Sequence, residues 1–430
     1  MNLLGCSANV LKTSRTCHRV EVDVAGLPTT FGNPLWKNTI AAGNAFLIDR
    51  LLQADAIVFG KTNVPYMLAD AQSYNDIYGT TNNPWDPTRS PGGSSGGEAA
   101  TLAAGLSALG ARSDIAGSLR NPAHYSGVYG HKPTWGLIST RGHAPPGIMT
   151  PTDISVVGPM ARHAEDLDLG LRVLAGPDLI QRTAWQVELP LARRRRLGEF
   201  RVAVWASSPL CRIDTSVSDL FDRAIDAIVR AGATVDDAAR PGIDDEEHHR
   251  LFMLLLRAAT ASRMRDEDFS RQQEIAATLT DDDTSDRAAV ARGATLLHRA
   301  WGNANEARTK LRYTWHEFFK RFDVLLTPVA ATAAFPHDRN PIATNAWSTS
   351  TASRHRTRSS YSLPGSPVCR ICRHPLRQLA SPQRDCRWAC RSSSRRVRIR
   401  RRSNSPGCSR PRSAASCRRR HTPKVASGGG

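Results

Sequence analysis

Between Pro91 and Glu98 the chain reads Pro-Gly-Gly-Ser-Ser-Gly-Gly-Glu, four glycines in eight residues. Such a backbone favours neither a helix interior nor a central strand, but it turns sharply at little steric cost. Directly after it, Glu98 to Leu109 is rich in Ala and Leu and free of Gly until Gly105, which predicts a buried helix opening at the glycines. The lead-in, Asn83-Pro84-Trp85-Asp86-Pro87, belongs to a turn-rich stretch from Thr80 to Gly97. A second Gly-Ser cluster, Ser113-Asp114-Ile115-Ala116-Gly117-Ser118-Leu119-Arg120, places Ser118 24 residues beyond Ser94. Two serines in tight turns suit hydroxyl chemistry, because clustered backbone N–H groups can stabilise an oxyanion. Gly92-Gly93-Ser94-Ser95-Gly96 formally matches a G-x-S-x-G nucleophile elbow, but that motif needs a strand leading into it, and the prolines forbid one. Gly60-Lys61-Thr62 resembles the end of a phosphate-binding loop, but the first glycine that loop needs falls on Asp55.

Strand and helix patterns alternate around these turns. An apolar-faced helix ends near Leu52, and Ala56-Ile57-Val58-Phe59 reads as a short buried strand. Arg201 to Trp205 reads as another strand, followed by a helix capped by Thr215 or Ser216 with apolar residues at Val217, Leu220, Phe221, Ala224, Ile225, Ile228 and Val229. Leu251–Leu256 and Ala288–Phe319 are expected to be mostly helical, and Asp323–Leu326 a closing strand. This is an α/β pattern, and no internal repeat interrupts it. No apolar run approaches the roughly 20 residues of a membrane span, and the first residues lack signal-peptide order. Membrane insertion and secretion are therefore not expected.

Charge divides the chain. Its formal net charge is +19, yet residues 351–430 hold 20 Arg, one Lys and one acid, leaving 37 basic and 38 acidic residues in 1–350. Six of the nine cysteines also fall in those last 80 residues. The first 350 residues read as a near-neutral, cysteine-poor protein of a reducing, cytoplasmic compartment.

Several segments together resemble the amidase signature family. They are Gly60-Lys61-Thr62-Asn63-Val64-Pro65, Asn83 to Pro87, Gly92 to Glu98, Ser113 to Arg120, and Tyr129-Gly130-His131-Lys132-Pro133-Thr134, with Asp23 to Thr30 upstream. Clear resemblance spans about 23–165 and a weaker one continues to about 337. It implies an α/β amidase signature fold, with a mixed central β-sheet surrounded by helices, over residues 1–340. It also implies hydrolysis of a carboxylic amide through a serine acyl-enzyme, with a small-molecule amide as substrate and no metal or cofactor. By motif, Ser118 would be the nucleophile and Ser94, in a cis peptide, the bridge to a lysine base. The N–H groups of Ile115, Ala116, Gly117 and Ser118 would form the oxyanion hole. The family usually has Gly where Ala116 stands, so a methyl there would crowd the hole if φ had to be positive. His124 and His131, with no evident carboxylate partner, are given a structural or surface role.

The lysine breaks the pattern. Ungapped spacing before Asp23 puts its position on Arg19, which stays charged and cannot accept a proton. The local motif Leu4-Gly5-Cys6-Ser7-Ala8-Asn9-Val10-Leu11-Lys12 instead makes Lys12 the candidate, with a solvated terminal lysine as the alternative. Lys37 and Lys61 occupy other positions of the family pattern. The stretch before about residue 23 is thus degraded relative to the family, and little or no amidase activity is expected of the chain as written.

Two further readings concern partners. One, within the family, is the amidase subunit of a tRNA-dependent amidotransferase. The other is a non-enzymatic Arg-rich nucleic-acid binder acting through the tail, where Cys369-x-x-Cys372 and Cys386-x-x-x-Cys390 imitate a zinc ribbon. Against it, Lys is nearly absent and Arg, Ser, Pro and Cys dominate, as when GC-rich coding DNA is read out of frame. Codons for Arg384–Ser393 can be chosen so that a shifted frame yields Leu-Pro-Val-Gly-Val-Gln-Ile-Val, a late strand motif of amidase signature proteins. The expectation is therefore a disordered, out-of-frame tail over 341–430, with nucleic acid set aside as a partner.

Overall fold

The computed structural model describes residues 15–19 and 22–339. Lys12 and the tail, with its expected boundary near residue 340, lie outside the described residues.

Five strands form the sheet that carries the serine turns: β1 (Arg15–Arg19), β2 (Ile57–Thr62), β5 (Leu109–Asp114), β6 (Tyr129–Gly130) and β7 (Val156–Ala161), in the order β2-β1-β5-β7-β6. β1 runs parallel to both β2 and β5, whereas β7 is antiparallel to β5 and β6, so the sheet is mixed as expected. Every residue of β5 and β7 is buried, because helices cover both faces. On one face Leu109, Ala111, Val157 and Ala161 pack with Phe46, Leu47, Ile48 and Leu51 of α1 (Phe46–Gln53) and with Leu174 of α4 (Ala164–Leu174). On the other, Met160 meets Ala99 and Leu102 of α2 (Gly96–Ala103), together with Leu119 and with Ala123 of α3 (Arg120–Ser126). This alternation is the period-two pattern of a strand buried on both sides. Each large aliphatic side chain withdrawn from water contributes about 1.5–3 kcal/mol.

The strand expected at 56–59 exists, but it is not buried. β2 ends the row of strands, and Ile57 and Phe59 are half-exposed on it. Apolar runs alone do not distinguish a central strand from an edge. Between β2 and α2, β3 (Tyr74–Asn75) and β4 (Gly79–Thr80) make a small hairpin, and Asn83 and Asp86 bridge a turn, so no strand leads into Ser94.

A parallel three-stranded sheet follows, β10-β8-β9, from β8 (Arg201–Val204), β9 (Thr234–Asp236) and β10 (Val324–Leu326). Val202 and Val204 face Phe221 and Ile228 of α5 (Thr215–Arg230), while Ala203 and Leu325 face Trp315 and Phe318 of α9 (His298–Arg321). The cap of α5 is Asp214 rather than Thr215 or Ser216: its carboxylate accepts from Ser216 N at 2.8 Å, and Thr215 opens the helix. Between the β9 and β10 strands lie α6 (Asp245–Ala261), α7 (Asp266–Ala277) and α8 (Asp286–Ala294). The helix expected over 288–319 is thus two helices, parted at Thr295–Leu297.

Candidate active site

Ser118 sits in the connection from β5 to α3, where Asp114 ends the strand and Arg120 begins the helix. Asp114 organises this turn. Its Oδ1 accepts from Gly117 N at 2.8 Å and from Arg120 Nη2 at 3.1 Å, and its Oδ2 from Leu119 N at 3.1 Å and Arg120 Nε at 3.0 Å. Burial alone would push this carboxyl up, but the Arg120 guanidinium, the nearby Lys132 ammonium and the Gly117 N–H outweigh it and hold the pKa at about 2. Lys132 is in turn shifted down by burial, against the favourable charge of Asp114. Gly117 has φ of +112°, and a Cβ there would come within 2.9 Å of the Asn121 amide, so this position needs glycine.

Gly117 leaves the expected oxyanion set, because its N–H is committed to Asp114. The N–H groups of Ile115, Ala116 and Ser118 carry no such commitment: none has an acceptor among the described residues. Sequence spacing could not reveal which of four neighbouring N–H groups a carboxylate would claim. Ala116 is not among the residues with positive φ, and its methyl is buried against Met253 and Leu256 of α6, so it is accommodated. Ile115, Ile154 and Phe252 extend the same apolar cluster, giving the Ser118 turn one greasy wall.

The Gly93–Ser94 peptide bond is cis. Ser73 pins the loop from below: its hydroxyl donates to Gly92 O at 3.0 Å and Ser94 O at 3.3 Å, and accepts from Gly96 N at 3.0 Å. A Cβ on Gly93 would lie 2.4 Å from Asp70 O, so only glycine permits this approach. The loop is joined to the Ser118 turn by Ser95 N, which donates to Ser118 O at 3.3 Å. Ser94 Oγ is buried and has no hydrogen-bond partner among the described residues. A buried hydroxyl without a partner costs roughly 1–3 kcal/mol, a cost that sets Ser94 apart from the satisfied serines around it.

Other candidates separate cleanly. Lys61 Nζ donates to Pro28 O at 2.6 Å and Thr29 Oγ1 at 3.1 Å, so it buttresses the Asp23–Thr30 segment. Lys37 is exposed. His124 Nε2 contacts Thr332 O at 3.1 Å and the ring packs on Tyr125, a structural role. Arg19 ends β1 opposite Thr62, the residue whose Oγ1 takes Arg112 Nη2 at 3.0 Å. Arg112 and Glu98 form a fully buried ion pair between β5 and α2; neither residue carries a sequence signal for that pairing beyond its charge. Among the described residues no group of His, Cys, Asp and Glu could hold a metal ion.

The sequence profile of the family described as Amidase matches residues 21–355, most of the chain and both serine turns. The chain belongs to the amidase signature family. It is 32% identical over 319 residues to an indoleacetamide hydrolase of Bradyrhizobium diazoefficiens, covering 73% of this chain and 58% of that one. It is 34% identical over 216 residues to the A subunit of the glutamyl-tRNA(Gln) amidotransferase of Trichodesmium erythraeum, covering 49% of this chain and 44% of that one. The chain thus spans about half the length of these curated relatives. Among solved structures, the A subunit of the glutamyl-tRNA(Gln) amidotransferase of Thermotoga maritima superposes with a TM-score of 0.64 at 22% identity, covering 82% of this chain and 74% of that one. That likeness carries the amidase fold.

Proposed function

We propose that the chain is built to hydrolyse a carboxylic amide of a small molecule through an acyl-enzyme on Ser118. The observation that carries this reading is the Ser118 turn itself. Asp114 absorbs the Gly117 N–H and leaves those of Ile115, Ala116 and Ser118 open beside the hydroxyl. Preorganised N–H groups of that kind suit the negative oxygen of a tetrahedral intermediate.

In this scheme Ser118 Oγ attacks the amide carbon while its proton passes to Ser94 Oγ, which hands its own proton to a neutral amine base. The carbonyl oxygen becomes the oxyanion. Return of a proton through Ser94 to the leaving nitrogen expels the amine and leaves the acyl-enzyme. Water then attacks, loses its proton along the same relay, and frees the acid and Ser118. Lys12 is the base in this reading, supported by its local motif and by the buried Ser94 hydroxyl, which has no partner among the described residues. The step needs no metal or cofactor. The chain is read as a cytoplasmic protein; no helix of the described residues is long and apolar enough to cross a membrane.

Residues 341–430 are proposed to be an out-of-frame tail outside the 1–340 amidase unit, supported by their composition. The experiment is fluorophosphonate labelling of the purified chain, with the adduct mapped by mass spectrometry. Label on Ser118 is expected; label on another serine with Ser118 free overturns the assignment. An assay on a simple aryl amide, repeated after both reading frames are restored, then tests the relay. A large gain on repair is expected, and equal rates would remove the case for a defect at the base. The likeness to amidotransferase A subunits favours a second reading, a component of an amidotransferase, which predicts co-purification of partner proteins.

A further inference from the structure

A cavity of about 380 Å³ lies between the 148–153 loop and the C-terminal end of α6, lined among others by Ile148, Thr150, Asp153, Ala259, Arg263 and Trp301. Two of its walls lead to the Ser118 turn. Asp153 precedes Ile154, and Ala259 follows Leu256 by less than a helical turn; Ile154 and Leu256 both pack in the cluster around Ala116. A group held in this cavity is therefore connected, through one residue of loop and one turn of helix, to the wall beside the nucleophile.

The charges in the cavity do not cancel. Asp153 is held by Arg308, whose Nη1 donates to both carboxylate oxygens at 2.9 and 3.1 Å. Arg263 donates from Nη2 to Thr150 O at 2.9 Å and forms no ion pair among the described residues. Its neighbour Arg265 has Asp268 at 2.8 Å and Glu267 at 3.8 Å, so these two acids of α7 are engaged elsewhere. Burial disfavours the charge on Arg263, and among the described residues Asp153, the carboxylate in the same cavity, is engaged by Arg308 instead. A guanidinium stays protonated even so, and its fork of donors matches a carboxylate. Trp301, Ile148 and Pro151 supply apolar and aromatic surface beside it.

We infer that this cavity is a substrate subsite for amides whose acyl part carries a carboxylate, with Arg263 as the group that binds it. The inference rests on the hydrolase reading for its link to Ser118, but its test does not. Binding of 4-carbamoylbenzoate and of 4-methylbenzamide to the full chain is measured by calorimetry. The two differ only in a carboxylate replacing a methyl. The carboxylate is expected to bind at least tenfold tighter. Arg263→Gln should remove the preference, Arg263→Glu should reverse it, and Arg263→Lys should keep part of it, which also guards against loss of fold in the other variants. Equal affinities in the unaltered chain, no binding of either compound, or a preference that survives Arg263→Gln would overturn the subsite. Fluorophosphonate labelling of Ser118 is scored on the same samples. Preference without labelling would retire the hydrolase reading and leave the subsite standing; labelling without preference would do the reverse.

Discussion

The two serine turns solve opposite problems. Around Ser118 the chain is its own partner: Asp114 receives four hydrogen bonds from residues within six positions of it, and Arg120 supplies the balancing charge. Around Ser94 the backbone is held by distant residues, Ser73 and the 70–72 segment, and the hydroxyl it presents has no partner among the described residues. A self-contained turn keeps its geometry when the rest of a protein is damaged. A turn held in place by distant segments does not. The Ser118 turn should therefore keep its geometry in this chain whatever becomes of the Ser94 loop.

The largest expected effect tests that division directly. Ser118→Ala should abolish fluorophosphonate labelling and reduce any amidase activity of the frame-repaired chain by about a thousandfold or more. Ser94→Ala should do nearly the same after repair, but change little in the unrepaired chain if its relay is already broken. Comparable losses in both backgrounds would show that the base is reached after all.

Asp114→Asn attacks the self-contained turn. It removes the buried carboxylate's share of the ion pair with the partly exposed Arg120, a change expected to cost about 3 kcal/mol, to be read by denaturant unfolding at pH 7. The same carboxylate sets an acid limit. Its folded pKa of about 2 lies below the ordinary 3.8, so its stabilisation is fully present above pH 3.8 and is lost as pH falls toward 2. The stability at stake over that interval is about 2 kcal/mol, and it should be missing from the variant's pH profile.

Asp70, beside the Ser94 turn, has the opposite sign. Burial raises its pKa to about 6 despite hydrogen bonds from Gln72 and Tyr74, while the Tyr74 phenol is pushed up to about 12 by its own burial and by Asp70. Stability linked to neutral Asp70 is present below pH 3.8 and is lost as pH rises through 6. Asp70→Asn should accordingly raise the melting temperature at pH 8 by an amount equivalent to about 1–2 kcal/mol and have little effect at pH 4. A uniform shift at both values would argue against titration. The smallest change is expected from Ala116→Gly. With φ already ordinary, removing the methyl should cost about 1 kcal/mol of packing against Met253 and Leu256 and leave the labelling rate within about twofold.

The sequence was informative where local pattern and local chemistry coincide. The Leu47, Ile48 and Leu51 stripe announced α1, and the glycines before Glu98 announced the start of α2. Both serines are in turns, as their glycines imply, and the chain reaches them without a strand before Ser94. What escaped is what depends on remote partners. Ile57 and Phe59 look like core residues until it is known that no strand among the described residues flanks β2 on its outer side. Gly117 looks like an oxyanion donor until Asp114 folds back on it. Arg263 carries no motif at all, and its place in the cavity beside the 148–153 loop follows only from packing beyond the end of α6.

One contact reaches further along the chain than any of these. Gln72 holds the backbone of Asp338 with both ends of its amide, at 2.7 and 2.9 Å, and Ser90 N donates to Phe335 O at 2.8 Å, so residues 335–338 clasp the approach to Ser94. Contacts of such long sequence separation form late in folding. On a ribosome, the Ser94 loop must wait, half-built, until nearly 340 residues have been translated and the clasp has left the exit tunnel.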